Sequence, residues 1–201
     1  MFLGIAVVLF LLTGMGGGGQ GIYEALAQSN QAVAAGEWWR LFTPILLHAS
    51  LMHIAFNMYA LWILGPQIER GVGSWPFAAA YLASAAVGGA FFFYLGDPVA
   101  PAVGASGAIF GLFGIWFNWA VHRRRTAHGR YLLQQILILL LINAAIPFLI
   151  PGIAWEAHLG GLIAGFVIGE AWSRIRGQDA MRTRSLVAAA VGVLAVVSVL
   201  V

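Results

Sequence analysis

The sequence predicts an all-α protein, a polytopic bundle of helices that crosses a lipid bilayer several times, and three observations predict it. Hydrophobic residues make up 61% of the 201 residues and charged residues only 8%, with a mean hydropathy of +0.89, outside the usual makeup of a water-soluble domain. The apolar residues gather in separate runs of roughly membrane-spanning length instead of mixing with polar ones. The basic residues, finally, cluster in alternate connections between those runs, as loops on one side of a membrane do.

Marked by their Gly, Pro and polar breakers, the runs lie near residues 2–14, 51–65, 76–95, 105–121, 131–150, 157–172 and 185–201. Several are at or below the roughly 17–25 residues that usually cross a bilayer, so the first two are expected partly at an interface. The first run, with Ala25-Leu26-Ala27 downstream, also admits a reading as a signal peptide. It has no basic leader and stands far from those small residues, which favours a span with Gly16 to Gly19 as a flexible exit. No internal repeat or soluble domain interrupts the pattern, so residues 1–201 are read as one membrane domain.

All ten basic residues are Arg. Arg70 follows the second run, Arg123, Arg124, Arg125 and Arg130 the fourth, and Arg174, Arg176, Arg182 and Arg184 the sixth, while only Arg40 lies in the opposite set of loops. This places the amino terminus in the cytoplasm and the long 15–50 loop outside, with Trp38, Trp39 and Phe42 as interfacial anchors. The basic pI of about 9.8 is thereby a topology signal, and no nucleic-acid partner is implied. The absence of Cys excludes disulfides, Cys-ligated zinc and thiol nucleophiles.

With an outside amino end for the second, fourth and sixth runs, the polar residues that begin them fall at one level. Ser106 stands between glycines in Gly104-Ala-Ser106-Gly107, at a helix start whose free N–H groups can face a developing oxyanion. Taken alone, a Ser in that place is better explained as a helix cap. His158 begins the sixth run, where an ionisable residue inside a membrane segment points to function. His158, Gly161, Gly165 and Gly169 share one helix face, and Gly107, Gly111 and Gly114 one side of the fourth run. Such small-residue faces pack helices closely, which would bring Ser106 and His158 together.

His53 and Asn57, four residues apart on the second run and preceded by His48, are two hydrogen-bond donors suited either to an oxyanion or to a local polar network. Nucleophile, base and donors at one depth fit acyl transfer by a Ser106–His158 dyad. Asp97 and Glu156 are the external carboxylates nearest in sequence, and each is read as solvated charge. A transporter path is disfavoured, since no charged series continues across the bilayer.

The sequence resembles the rhomboid family through Glu37-Trp38-Trp39-Arg40, His48-Ala-Ser-Leu-Met-His53-Ile-Ala-Phe-Asn57, Gly104-Ala-Ser106-Gly107 and Ala157-His158-Leu-Gly-Gly161-Leu-Ile-Ala-Gly165, across about residues 36–172. The resemblance implies a six-helix core plus a seventh helix at about 185–201, and a serine endopeptidase that cuts transmembrane helices of other membrane proteins near the external face of a prokaryotic cell membrane. It implies an oxyanion hole of His53, Asn57 and the Ser106 backbone N–H, and a structural role for Arg40 in the first external loop. It also implies a lateral gate at the fifth span, loosened by Asn143 and Pro147. Neither a metal nor an organic cofactor is implied. Phe110 departs from the Tyr that some members stack on the catalytic His. The ring is kept and the hydroxyl lost. Members lacking the Ser or the His bind clients without cutting them, but both residues are present here.

Overall fold

The computed structural model of the chain describes residues 2–13, 19–150 and 152–201, without the side chains of Pro147 and Phe148. The expected glycine exit at Gly16 to Gly18 and the Pro147 side chain therefore lie outside the described residues. Among the described residues the chain forms helices and no strand, apart from one isolated bridge between Gln28 and Ala102.

The first run is a short helix, α1 (Phe2–Leu12). The following connection is far from featureless: it holds two short helices, α2 (Gln20–Leu26) and α3 (Asn30–Ala34), and two 3-10 turns at Trp38–Leu41 and Thr43–Leu46. The Ser29 hydroxyl caps α3 by accepting from the Ala32 amide at 3.3 Å. Next, α4 (Leu51–Val72) starts on Ser50, whose hydroxyl accepts the His53 amide at 3.2 Å.

α4 passes through Pro66 to Val72, beyond the end at 65 that the apolar run suggested. A proline removes one helical hydrogen bond, a loss that membrane helices tolerate. Here the turns beyond it are anchored by Ile68 and Val72, both buried in the core. Gly73, at φ +96°, then reverses the chain in a single residue. The remaining helices are α5 (Ser74–Leu95), α6 (Ser106–His122), α7 (Ala127–Leu149), α8 (Trp155–Ser173) and α9 (Ala180–Leu200). They match the last five runs, with ends displaced by a few residues.

On length and composition alone, α5, α7 (through Ile146) and α9 are long and apolar enough to cross a membrane. α4, α6 and α8 alternate with them, and these are the helices that carry the polar candidates. α5, α6 and α8 form the centre, where Ala80, Ala86, Ala108, Leu112, Ile115 and Ile168 are completely buried.

α6 and α8 run parallel and meet backbone to backbone. A Cβ on Gly161 would strike the carbonyl of Gly107, and one on Gly165 the carbonyl of Gly111. This is the close approach that small residues permit between membrane helices. α9 lies along α5, with Gly192 against Ala83 and the Tyr94 hydroxyl donating to the Ser198 carbonyl. α7 is the most lightly held of the long helices: Ile136 is fully buried, whereas Leu137, Leu141 and Ile142 face outward.

Candidate active site

Ser106 is the first residue of α6, and the cap position before it is Ala105. The Ser106 side chain makes no capping bond; its Oγ instead lies 2.7 Å from Nε2 of His158. His158 sits in the first turn of α8, and the parallel packing of α6 on α8 sets this distance, since the glycine contacts begin at Gly107, the residue after Ser106, and at Gly161, one turn after His158. If Ser106 donates to Nε2, the ring proton of a neutral His158 is on Nδ1.

The Phe110 ring stacks on the His158 ring with centroids 4.3 Å apart and planes 6° from parallel. It fixes the imidazole plane by contact alone, with no hydroxyl required. Gly107 is needed for the same approach: a Cβ there would lie 3.3 Å from the Ala157 carbonyl oxygen, tighter than ordinary van der Waals contact.

His53 projects from the first turn of α4 toward the loop before Ser106. A Cβ on Gly104 would sit 2.6 Å from His53 Nε2, and Gly104 also holds φ at +124°, a region that favours glycine. The Ala49 amide donates to His53 Nδ1 at 3.4 Å. With Nδ1 an acceptor, the neutral ring carries its proton on Nε2, the nitrogen that faces Gly104.

Asn57 is buried, and its Nδ2 donates one hydrogen to the His53 carbonyl at 2.8 Å, leaving a second hydrogen for another acceptor. His48, just outside α4, stands edge to face against His53 with centroids 5.1 Å apart. Burial first, and the neighbouring His53 second, push the His48 pKa down to about 3, so it is neutral near pH 7. A cavity of about 40 Å³ behind Ser106, lined by Gln28, Gly104 and Ala157 among others, is large enough for water.

The two carboxylates differ from one another. Asp97 is solvent-exposed, as read from the sequence; the Ala100 and Val99 amides donate to it and hold its carboxyl below the usual range. Glu156, read as solvated, is instead buried in the first turn of α8. A helix start has free N–H groups and a positive dipole end that favour an acidic residue. Among the described residues neither carboxylate hydrogen-bonds His158.

The loop before α4 is braced from within. Buried Arg40 donates from Nε to Glu37 at 2.6 Å and from Nη1 to the carbonyls of Glu24 and Ala27 at 2.6 and 2.7 Å. Sequence reasoning did not single out two further braces. Gln28 Nε2 donates to the Gly89 carbonyl at 2.7 Å, and Asn30 Nδ2 to the carbonyls of Phe92 and Asp97, each at 3.1 Å. Their one signal in the sequence is a pair of amides close before an apolar turn. The loop in turn holds the approach to Ser106, since the Gly104 amide donates to the Pro44 carbonyl at 2.9 Å.

A family model described as the rhomboid domain matches residues 35–175. The chain is 37% identical over 169 residues to the rhomboid protease GluP of Bacillus subtilis, an alignment covering 83% of this chain and 33% of GluP. It is 39% identical over 140 residues to YdcA of the same bacterium, covering 69% of each. It is 33% identical over 168 residues to rhomboid-like protease 1 of Toxoplasma gondii, covering 81% of this chain and 56% of that one. The chain thus spans a third of the length of GluP and about half that of the Toxoplasma relative. On the match to its domain and these likenesses, this chain belongs to the rhomboid family of membrane proteins.

Proposed function

We propose that this chain is an intramembrane serine endopeptidase in which Ser106 is the nucleophile and His158 the general base. The observation that carries the reading is the 2.7 Å contact between Ser106 Oγ and His158 Nε2 at the start of two parallel helices. Attack of Oγ on a scissile carbonyl transfers the Ser106 proton to Nε2, and the same proton then goes to the leaving amine. Water hydrolyses the acyl-enzyme by the same route.

The developing oxyanion is held by the Ser106 backbone N–H, His53 Nε2–H and the second Asn57 amide hydrogen. The first-turn N–H groups of α6 have no helical acceptor, and such donors in a dry site each contribute on the order of 10²–10³ in rate. The substrates proposed are single membrane helices of other proteins, cut where they unwind. A scissile peptide inside a continuous helix keeps its carbonyl in the helical ladder until Gly or Pro loosens it. The family names of the relatives support this reading.

The arginine distribution supports an orientation with the amino terminus cytoplasmic and Ser106 opening to the outside of a prokaryotic cell membrane. The light attachment of α7 supports its role as the lateral gate, with Asn143 near its Ser106 end. Arg40, Gly104, Gly107, Phe110 and Gly161 support the dyad through position and contribute no chemistry of their own. Residues 36–172 act as the protease core, and α9 is the added helix.

The test is cleavage of a single-span substrate in liposomes. The unmutated protein should cut it, and Ser106→Ala should not while keeping its helical content. If the folded, unmutated protein leaves several substrates with Gly or Pro near the external end intact, the chain binds membrane clients without cutting them.

A further inference from the structure

At the end of the bundle opposite Ser106, the last turns of α4, α6 and α8 and the first of α9 enclose a second cavity of about 640 Å³. Its wall carries Arg123, Arg176 and Arg184, with His122, Trp119 and Trp172 beside them. Among the described residues no Asp or Glu lines it. Among the described residues, no carboxylate lies within 4.0 Å of any of the three guanidinium groups; the ion pairs there join Glu170 to Arg174 and to His122.

Arg184 is partly buried. Its Nη2 donates to the Ile175 carbonyl at 3.2 Å, and its Nε is buried without an acceptor. Three like charges around one concavity repel each other and focus a positive potential into it. An anion placed there relieves both effects, and planar guanidinium groups match the geometry of phosphate oxygens.

We infer that this cavity is a binding site for the phosphate-bearing headgroup of an anionic phospholipid. The volume falls in the range of small-molecule sites. The cavity also lies where the apolar spans end, and half-buried Trp119 on its wall and exposed Trp75 in the first turn of α5 mark the headgroup level. A headgroup there would tie the α6–α7 turn to the α8–α9 connection. It would thus hold from below the two helices whose other ends carry Ser106 and His158.

The experiment is native mass spectrometry of the detergent-purified full chain, with phosphatidylglycerol, phosphatidylcholine or inorganic phosphate added in parallel. The expected result is retention of phosphatidylglycerol over phosphatidylcholine. Arg123→Gln with Arg176→Gln should weaken it on the order of tenfold or more, since each substitution removes a charge-assisted contact to the phosphate. Both arginines are exposed and make no side-chain bond, so the double variant should fold. Its thermal transition in detergent without lipid should match that of the parent.

The control is Arg124→Gln with Arg125→Gln, which removes the same amount of charge, from the turn that also carries Arg123, but outside the cavity wall. It should retain the lipid. Equal loss in both double variants would overturn the cavity site in favour of a general surface attraction. Binding of inorganic phosphate that displaces phosphatidylglycerol would overturn the lipid assignment in favour of a soluble anion.

Discussion

Along α6 and α8 side chains are missing where the helices meet, so that Gly161 rests on the Gly107 carbonyl and Gly165 on that of Gly111. Along α7 large side chains are present and turned away, with Leu141 73% exposed, and among the described residues Ile136 is its one large side chain that is fully buried. Lipid is as apolar as leucine, so large side chains add little to helix association in a bilayer, whereas close backbone approach adds van der Waals contact directly. The first pair sets Ser106 Oγ 2.7 Å from His158 Nε2. Among the described residues, α7 contributes none to that contact.

The largest expected effect therefore comes from filling the glycine seam. Gly165→Leu places four carbons where the Gly111 carbonyl lies, and overpacking of this kind costs 1–3 kcal/mol or more. Loss of the thermal transition in detergent, together with all cleavage, is the expected outcome. A folded protein with parent-like stability would mean that the two helices separate easily, and would undo the comparison.

Gly104→Ala should act on chemistry more than on folding. The new methyl meets His53 Nε2, and a residue other than glycine at φ +124° costs about 1–3 kcal/mol. Because it displaces a proposed oxyanion donor, kcat should fall on the order of 10²-fold, with substrate affinity little changed. An unchanged kcat would remove His53 from that role.

Much of this pair was legible in the sequence because its logic is local. Ser106, His158 and the glycines at helical spacing lie on two short motifs, and a parallel arrangement follows from counting spans. The long connection was not legible. Gln28 and Asn30 act by reaching carbonyls more than sixty positions away, at Gly89 and Phe92, and no periodicity announces such a pairing. Glu156 was misread as solvated because a charge beside an apolar run looks like a loop until the helix is found to begin at Trp155. The end of α4 was misread because Pro66 is a local breaker, whereas the burial of Ile68 and Val72 is a tertiary fact.

Arg40 offers a test of how much the braced loop matters. Arg40→Ala removes three charge-assisted hydrogen bonds, to Glu37, Glu24 and Ala27, and leaves two carbonyls to find other donors. A loss of about 2–3 kcal/mol is expected in chemical denaturation, since bonds to charged groups contribute about 1.5–3 kcal/mol each and the loop relaxes. Arg40→Lys should recover only part of it, because one ammonium cannot span the fork. Full recovery by Lys would mean that charge alone braces the loop.

The smallest effect belongs to α7, and it is the one that separates the two halves of the comparison. Leu141→Ala with Ile142→Ala shortens two outward side chains, 73% and 53% exposed. Stability should stay within about 0.5 kcal/mol of the parent, as for substitutions that touch no packed neighbour. Cleavage rates, by contrast, should shift if α7 is the element that admits a substrate helix, since its lipid-facing surface is what such a helix would meet first. A destabilisation above about 1 kcal/mol would show that α7 is held as firmly as α8. The distance between Ser106 and His158 would then depend on all the helices around it, and not on the glycine seam alone.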